Sequence, residues 1–166
     1  MQPIKFFVPV IIILFSVMTV FAQKQIPDIT VKTLEGEAVK MQEIVKDGKI
    51  RVISFWATWC SPCKKELDAI AEVYDEWKEQ YNMEIIAVTI DDVRGLSKVK
   101  PMLAQKGWSY RVLSDVNKDL MNALNFQNVP QTFLLDREGN ITYTHSGYVP
   151  GDEIELEEKI KAIAGK

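Results

Sequence analysis

The stretch Phe55-Trp56-Ala57-Thr58-Trp59-Cys60-Ser61-Pro62-Cys63 decides the fold of this chain, and it holds both cysteines of the 166 residues. The apolar, β-branched run Arg51–Trp56 leads into it and predicts a buried strand. Apolar residues then recur at helical spacing from about Ser61 to Gln80, with Pro62 tolerated in the first turn. A strand that feeds a Cys-x-x-Cys at the start of a helix is typical of a reactive, low-pKa thiol. The first hypothesis is therefore redox chemistry.

The N-terminus has the pattern of a secretory signal peptide. Residues 1–22 are apolar with Lys5 as their one charge, and Val20-Phe21-Ala22 suits a cleavage site. The alternative is an uncleaved membrane anchor, although Pro9 interrupts the run and its length is near the lower limit for spanning. We predict a signal peptide at 1–22 and one domain at 23–166. Either outcome exports the domain to the periplasm, tethered to the membrane if the segment stays.

Composition narrows the class of protein. Residues 1–22 contain one lysine, so 19 of the 20 basic residues remain beside 23 acidic ones, a mildly acidic balance of −4. This balance argues against nucleic acid as a partner. Two cysteines are too few for a disulfide-stapled scaffold, and a purely structural bridge over so short a loop would constrain the unfolded chain little. We see no metal, flavin, haem or nucleotide motif and expect no cofactor.

The remaining pattern alternates strands and helices. A hairpin of Ile29–Thr33 with Ala38–Met41 opens the domain. Further predicted elements are a strand at Glu84–Ile90, a helix at about Ser97–Lys106, a strand at Tyr110–Leu113, a helix at Asn117–Leu124, a hairpin of Thr132–Leu135 with Ile141–Thr144, and a last helix from Asp152, capped through Glu155, to near Ala164. The order predicts an α/β fold with a largely parallel central sheet and an antiparallel hairpin at one edge. Cys60 then lies where a strand meets a helix, which is where functional groups gather in such sheets.

Two segments carry a family resemblance. Phe55–Cys63 resembles the active-site signature of the thioredoxin superfamily, and Val129-Pro130-Gln131-Thr132-Phe133 resembles its cis-proline loop. The extra strand–helix unit at about 108–125 and the exported N-terminus make the chain similar to the TlpA- and ResA-type thiol–disulfide oxidoreductases, over nearly all of 26–164. The resemblance implies a thioredoxin-like fold. Its central mixed sheet is flanked by helices, with an N-terminal β lead-in and a central strand–helix insertion.

The cysteines are assigned different tasks. Cys60, just before the helix, is the expected attacking thiolate, and Cys63 resolves the mixed disulfide that Cys60 forms with the substrate. The helix dipole stabilises the Cys60 thiolate by only about 0.3–1 kcal/mol, which is less than the 1.36 kcal/mol that corresponds to a shift of one pKa unit. We therefore expect the Cys63 thiol to lower the pKa of Cys60 further by donating to its thiolate.

Substrate binding is assigned to Trp59, Pro62, Val129 and Pro130. The resemblance implies a cis peptide bond before Pro130, which would turn the backbone of Val129 towards the cysteines, ready to pair with a bound peptide as an added strand. Trp59 and Trp56 are interpreted as packing and shielding side chains rather than as a ligand cage.

Resolution by Cys63 needs a base. Related thioredoxins bury an aspartate where this chain has Ser54, and many carry a lysine where it has Ala87. Glu66 follows Cys63 by three residues on the same helical face, and partial burial would raise its pKa and suit it to shuttle a proton. A glutamate at this spacing resembles the active-site glutamate of the ResA-type branch. The alternative is an acid that merely complements the helix dipole.

Other polar residues are predicted to lie outside the site. His145, the only histidine, is interpreted as an exposed residue of the edge hairpin. Asp91-Asp92 and the acidic segment 152–158 lack ligand-type spacing and are interpreted as a loop and a solvated helix face.

The sequence favours a periplasmic thiol–disulfide oxidoreductase that reduces protein disulfides. The resembling branch mostly reduces, often for cytochrome c maturation or to rescue other exported thiols, and implies a membrane thiol-reducing conduit as the electron donor. We expect exported disulfide proteins as partners and a monomer. A disulfide-introducing oxidase and a non-catalytic peptide-binding module remain alternatives. A peroxiredoxin-type peroxidase is less favoured because Trp59 directly precedes Cys60 and no Thr-x-x-Cys is present.

Overall fold

The computed structural model describes residues 24–165. The predicted signal peptide lies outside these residues, so its cleavage and the domain boundary stay predictions. Within the described range, no helix has both the length and the apolar character that crossing a membrane requires.

The described chain forms one sheet with helices packed against it. Its strands are β1 (Thr30–Thr33), β2 (Ala38–Lys40), β3 (Ile50–Trp56), β4 (Met83–Thr89), β5 (Arg111–Ser114), β6 (Gln131–Leu135) and β7 (Ile141–Ser146). Its helices are α1 (Met41–Val45), α2 (Ser61–Tyr81), α3 (Val93–Leu96), α4 (Val99–Lys106), α5 (Asp119–Leu124) and α6 (Asp152–Ala164). The alternating pattern of the sequence thus produces the predicted α/β fold.

The sheet is mixed, in the order β2-β1-β5-β4-β3-β6-β7. Only β5, β4 and β3 run parallel to their neighbours, while β1 pairs antiparallel with β5 and β6 antiparallel with β3. The predicted antiparallel hairpin β6–β7 lies at one edge, and the predicted N-terminal hairpin β1–β2 lies at the other. One hairpin flanks each side of the parallel core, because both hairpins dock a strand that runs against its neighbour.

The central strand β3 explains why the site is held firmly. Every residue of β3 is buried, and Phe55 packs edge-on against Phe126 and Phe133 with centroid distances of 4.7 and 5.9 Å. On the other face, Trp56 packs against Trp108. Burying one such aromatic side chain stabilises a fold by about 1.5–3 kcal/mol. The end of β3, where the cysteine segment starts, is thus anchored from both faces of the sheet.

Two predicted helices differ in detail. The helix expected at about 97–106 is α4, but the short α3 before it was not predicted; the Asp92 carboxylate starts α3 by accepting from the N–H groups of Arg94 and Gly95. The predicted capping box of α6 is also wrong. Its N-cap is Gly151 without a side-chain bond. The Asp152 carboxylate instead accepts from the backbone N–H of Val149 and contacts His145, and both of these residues precede the helix.

Candidate active site

The redox pair lies where β3 passes into α2. Cys60 is the N-cap of α2, and its sulfur accepts from the backbone N–H of Cys63 at 3.3 Å. The two residues form a disulfide with a Cα–Cα distance of 5.4 Å. Cys60 is 4% exposed and Cys63 is 0% exposed. An incoming thiol or disulfide therefore meets Cys60 first, while Cys63 is shielded behind it.

Asp91 fixes the loop that carries this pair. The loop follows β3 and Asp91 follows β4, and since these strands are parallel their ends meet at one edge of the sheet. The Asp91 carboxylate accepts from the Thr58 N–H at 2.8 Å, the Thr58 hydroxyl at 2.8 Å and the Thr89 hydroxyl at 2.7 Å. Asp91 is 1% exposed. Asp91 lies in a loop, as predicted, and its buried carboxylate holds Thr58, which is two residues before Cys60.

The predicted proline loop lies directly beside the outer sulfur. The peptide bond between Val129 and Pro130 is cis, as the resemblance implies. The carbonyl oxygen of Val129 lies 3.7 Å from the sulfur of Cys60. Pro130 is buried and Val129 half-buried. The backbone edge of this loop and the reactive sulfur thus face the same approaching chain.

The other two assigned binding residues are at the surface. Trp59 is 67% exposed and Pro62 is exposed, so Trp59 packs into no core and the packing interpretation holds only for Trp56. Trp59 borders an open groove of about 450 Å³. Arg94 and Lys98 also line this groove. A bound polypeptide has an aromatic platform within reach of Cys60.

Glu66 lies inside the protein, one helical turn beyond Cys63. Ser54 on β3 is paired with Thr132 on β6, so the two hydroxyls lie side by side on the face that α2 covers. Both donate to the Glu66 carboxylate, Ser54 to Oε2 at 3.1 Å and Thr132 to Oε1 at 2.6 Å. Glu66 is 4% exposed. Ser54 stands where related thioredoxins have an aspartate. Its hydroxyl therefore donates to a carboxylate that belongs to the helix, that of Glu66.

Burial decides the acidity of Glu66. Removal from water raises its pKa from 4.5 to about 7, while the hydrogen bonds from Thr132 and Ser54 lower it by smaller amounts. A carboxyl with a pKa near 7 can take or give a proton at neutral pH. The alternative, an acid that merely complements the helix dipole, does not require this burial or the two hydrogen bonds.

His145 is not an exposed hairpin residue. Its side chain is 28% exposed, and its Nε2 lies 3.0 Å from the Asp152 carboxylate. It faces inward because α6 covers the inner face of β7, on which His145 and Tyr143 alternate with exposed residues. The alternation of large side chains with small polar ones along β7 could have indicated that one face of this strand is covered. The covering helix could not be placed from sequence alone.

These features define a class of protein. An αβ fold with a disulfide at a helix start, one sulfur near the surface, a cis-proline loop beside it and a buried carboxyl behind the second sulfur is a thioredoxin-like thiol–disulfide oxidoreductase. Within residues 24–165, no group of three or more His, Cys, Asp or Glu is placed to hold a metal ion.

Comparison with known proteins agrees with that class. The chain belongs to the AhpC/TSA family, which it matches over residues 22–144. It is 30% identical to the thiol-disulfide oxidoreductase ResA of Bacillus anthracis over 132 residues, which span 80% of this chain and 73% of ResA. The thioredoxin-like protein YneN of Bacillus subtilis is also 30% identical, over 80% of this chain and 75% of YneN.

Solved structures share the fold. A thioredoxin-like protein from Porphyromonas gingivalis superposes with a TM-score of 0.76 at 40% identity, over 86% of this chain and 94% of that one. StoA from Bacillus subtilis superposes with a TM-score of 0.61 at 25% identity, over 78% of this chain and 98% of StoA. The chain is an enzyme of thiol–disulfide exchange, and a non-catalytic binding module is set aside.

Proposed function

We propose that this protein is an exported reductant of protein disulfides. The observation that carries the proposal is the asymmetry of the pair: Cys60 is 4% exposed and lies beside the Val129 carbonyl, whereas Cys63 is fully buried, one helical turn before Glu66. An enzyme that reduces a folded partner needs an outer sulfur to attack and an inner one to resolve.

The reduction proceeds in two exchanges. The Cys60 thiolate attacks a substrate disulfide, forms a mixed disulfide and releases one substrate thiolate. Glu66 then takes the proton of the Cys63 thiol, and the Cys63 thiolate attacks the Cys60 sulfur. The Cys60–Cys63 bond forms as the bond to substrate breaks, so the substrate gains two electrons and the enzyme ends as the disulfide. Trp59, Pro62, Val129 and Pro130 hold the substrate chain during both exchanges.

The surroundings of Cys60 support the reducing direction. Strong oxidants of this chemistry stabilise their reduced form, usually through a well-stabilised thiolate. Here the ammonium of Lys64 donates to the Thr58 carbonyl at 3.1 Å, so the loop holds this charge instead of the Cys60 sulfur. The sulfur receives the Cys63 N–H at 3.3 Å. For a reductant we expect a potential nearer the about −270 mV of thioredoxin than the about −120 mV of strong oxidants.

The proposed setting follows from the N-terminal segment and the relatives. An apolar segment with a cleavage motif supports export to the periplasm, with a membrane tether if it is not removed. There the substrates are exported proteins with disulfides, apocytochromes c among them. The electron donor is a membrane thiol-reducing conduit, and the enzyme works as a monomer.

A trapping experiment tests the proposal. The full chain carrying Cys63→Ala is expressed and recovered from the periplasmic fraction. We expect mixed disulfides between Cys60 and exported proteins, because the resolving thiol is gone. Reduced wild-type protein equilibrated with glutathione should show a potential well below −200 mV, since that range belongs to reductants.

The matched control is Cys60→Ala, which leaves only the shielded Cys63 and should trap nothing. Absence of adducts on Cys63→Ala, or recovery of the chain only inside the cell, would contradict the proposal. A potential near −120 mV would reverse the direction and make the protein an oxidase.

A further inference from the structure

A small cavity lies on the side of Glu66 that faces away from β3. Its volume is about 10 Å³, which is room for about one water molecule. Polar side chains from α2, β6, β7, the loop after β7 and α6 surround it, namely Glu66, Thr132, Tyr143, His145, Tyr148, Asp152 and Glu153. The sulfurs do not line it. Glu66 thus has further polar neighbours besides its hydrogen-bond donors Ser54 and Thr132.

His145 is held across this cavity by both ring nitrogens. Nε2 lies 3.0 Å from Asp152 Oδ2, and Nδ1 lies 3.2 Å from the Tyr143 hydroxyl. The same hydroxyl lies 3.2 Å from the Glu155 carboxylate. Tyr143 has one proton to give. Donation to Nδ1 suits a neutral ring, and donation to Glu155 suits an imidazolium that itself donates to the tyrosine oxygen. The geometry accommodates both charge states of His145 without moving the ring.

Among the described residues that line the cavity, His145 alone can become a cation. The pKa values of Tyr143 and Tyr148 are raised to about 12, mainly by burial, so both stay neutral near pH 7. Asp152 and Glu153 contribute negative charge from α6. Outside the lining, the Tyr110 hydroxyl donates to the carbonyl of Leu67, the residue after Glu66, and burial raises the pKa of Tyr110 as well. Within the described lining, an imidazolium at His145 is therefore the one positive charge that opposes the carboxylates, while outside it Lys159 on α6 pairs with Glu155 at 3.7 Å and lies 5.5 Å from the centre of the Tyr143 ring.

We propose that His145 is a positioning residue whose charge determines the pH range in which Glu66 is protonated. Asp152 and Tyr143 hold its ring at the cavity that Glu66 also lines, which has room for about one water molecule. The proposal rests on the function proposed for Glu66. When Glu66 takes the proton of Cys63, its negative charge disappears, and a positive charge on His145 loses the carboxylate that balanced it. His145, which is 28% exposed, then releases its own proton towards solvent. The proton leaving Cys63 is balanced by one that appears in water, and no net charge accumulates inside.

The coupling must be reciprocal. If the Glu66 carboxylate favours the imidazolium, the imidazolium favours the carboxylate by the same free energy. Because His145 is the only histidine in the sequence, its imidazole gives a single set of NMR signals and can be titrated directly. The first arm compares oxidised wild type with Glu66→Gln. We expect the titration midpoint of His145 to fall by about half a pH unit or more when the carboxylate is removed.

The second arm measures the pH dependence of the reaction of the reduced protein with oxidised glutathione. His145→Gln keeps a donor for Asp152 without a charge. We expect the alkaline-rising midpoint, assigned to Glu66, to move upward by about the same half unit. Thr144→Gln, on the exposed face of the same strand, is the matched control and should leave the midpoint in place.

The outcomes separate this inference from the proposed function. An unmoved His145 midpoint in Glu66→Gln overturns the coupling, even where His145→Gln fails to fold. A shifted profile in Glu66→Gln with an unshifted one in His145→Gln also overturns it, while Glu66 remains the base. A Glu66→Gln profile that matches wild type removes the role of Glu66, and the coupling proposed for His145 falls with it. Trapping by Cys63→Ala would still stand in each case.

Discussion

Ser54 shows how a single position can change the source of a catalytic carboxyl. An aspartate here would bring its carboxyl on the strand itself. Ser54 brings a hydroxyl, and the carboxyl comes from Glu66 on the helix above. A buried carboxyl without hydrogen bonds would cost several kcal/mol to ionise, and two donors reduce that cost. Ser54 and Thr132 therefore keep the pKa of Glu66 near neutrality instead of far above it.

Ser54→Ala should make Glu66 a weaker acid. Losing one donor to the carboxylate costs about 1 kcal/mol, which corresponds to about 0.7 pH unit. The midpoint of the pH–rate profile for glutathione reduction should rise by that amount. Thr132→Val, which removes the shorter bond of 2.6 Å, should raise it further. Ser114→Ala, a buried serine on β5, serves as the control. A midpoint that moves towards acid after Ser54→Ala contradicts this account of Glu66.

The short helix α3 supports the active-site loop through its contact with Asp91. The helix starts at Asp92, directly after Asp91, and its Gly95 packs onto the Asp91 carboxylate. A Cβ at Gly95 would lie 2.6 Å from Asp91 Oδ1, which is too close without a shift. That oxygen receives the Thr58 hydroxyl. The glycine is thus required by close approach, and the brace of the cysteine loop depends on it.

Gly95→Ala should weaken both the fold and the reaction. The added methyl must displace the Asp91 carboxylate or the helix, at a cost of about 1–3 kcal/mol. The helical preference of alanine works the other way by about 1 kcal/mol, so a net loss measures the clash. Urea unfolding and the rate of glutathione reduction report the two effects. Val93→Ala, on a residue that is 76% exposed, is the matched control. A variant as stable and as fast as wild type would show that the loop does not depend on this contact.

The elements differ in how well the sequence predicts them. Strands such as β3 and β4 were predictable because continuous apolar runs mark strands buried on both faces. The short helix α3 was missed, since one Asp92 cap decides it within a polar loop. The start of α6 at Asp152 was predicted correctly for the wrong reason. A capping pattern looks only along the chain, whereas the Asp152 carboxylate bonds to the Val149 N–H at 2.7 Å and to His145 on β7.

For the whole molecule, the sheet order assembles the site from distant segments. Cys60 leaves β3, Val129 precedes β6, and these strands are neighbours, so the loop meets the sulfur although 69 residues separate them. Spacing identified the cysteines, and the resemblance identified the proline. The place of His145 depended on which helix covers β7, which is a property of packing between remote segments. This is why the reactive pair was predictable and its electrostatic surroundings were not.

Because of Glu66, the free energy of unfolding of the protein should depend on pH. Its pKa is about 7 in the folded protein and 4.5 without the influence of the fold. Between these values the folded protein keeps a proton that the unfolded chain has lost, so stability falls as pH rises through this window. Below pH 4.5 the effect is absent, and above pH 7 it reaches about 3 kcal/mol of lost stability. A protein stabilised only by paired carboxylates would show the opposite slope.

The measurement is urea unfolding of the oxidised protein at pH 5 and pH 8, with Glu66→Gln as the matched variant. Glutamine keeps the size of the side chain and does not titrate, so the difference between the two proteins isolates the contribution of Glu66. Relative to the variant, wild type should lose about 2–3 kcal/mol between the two pH values. An equal slope in both proteins would mean that Glu66 is ionised in the fold at pH 5. A carboxylate already ionised at that pH could not be the proton acceptor that Cys63 requires near neutrality, because its basicity would be too low.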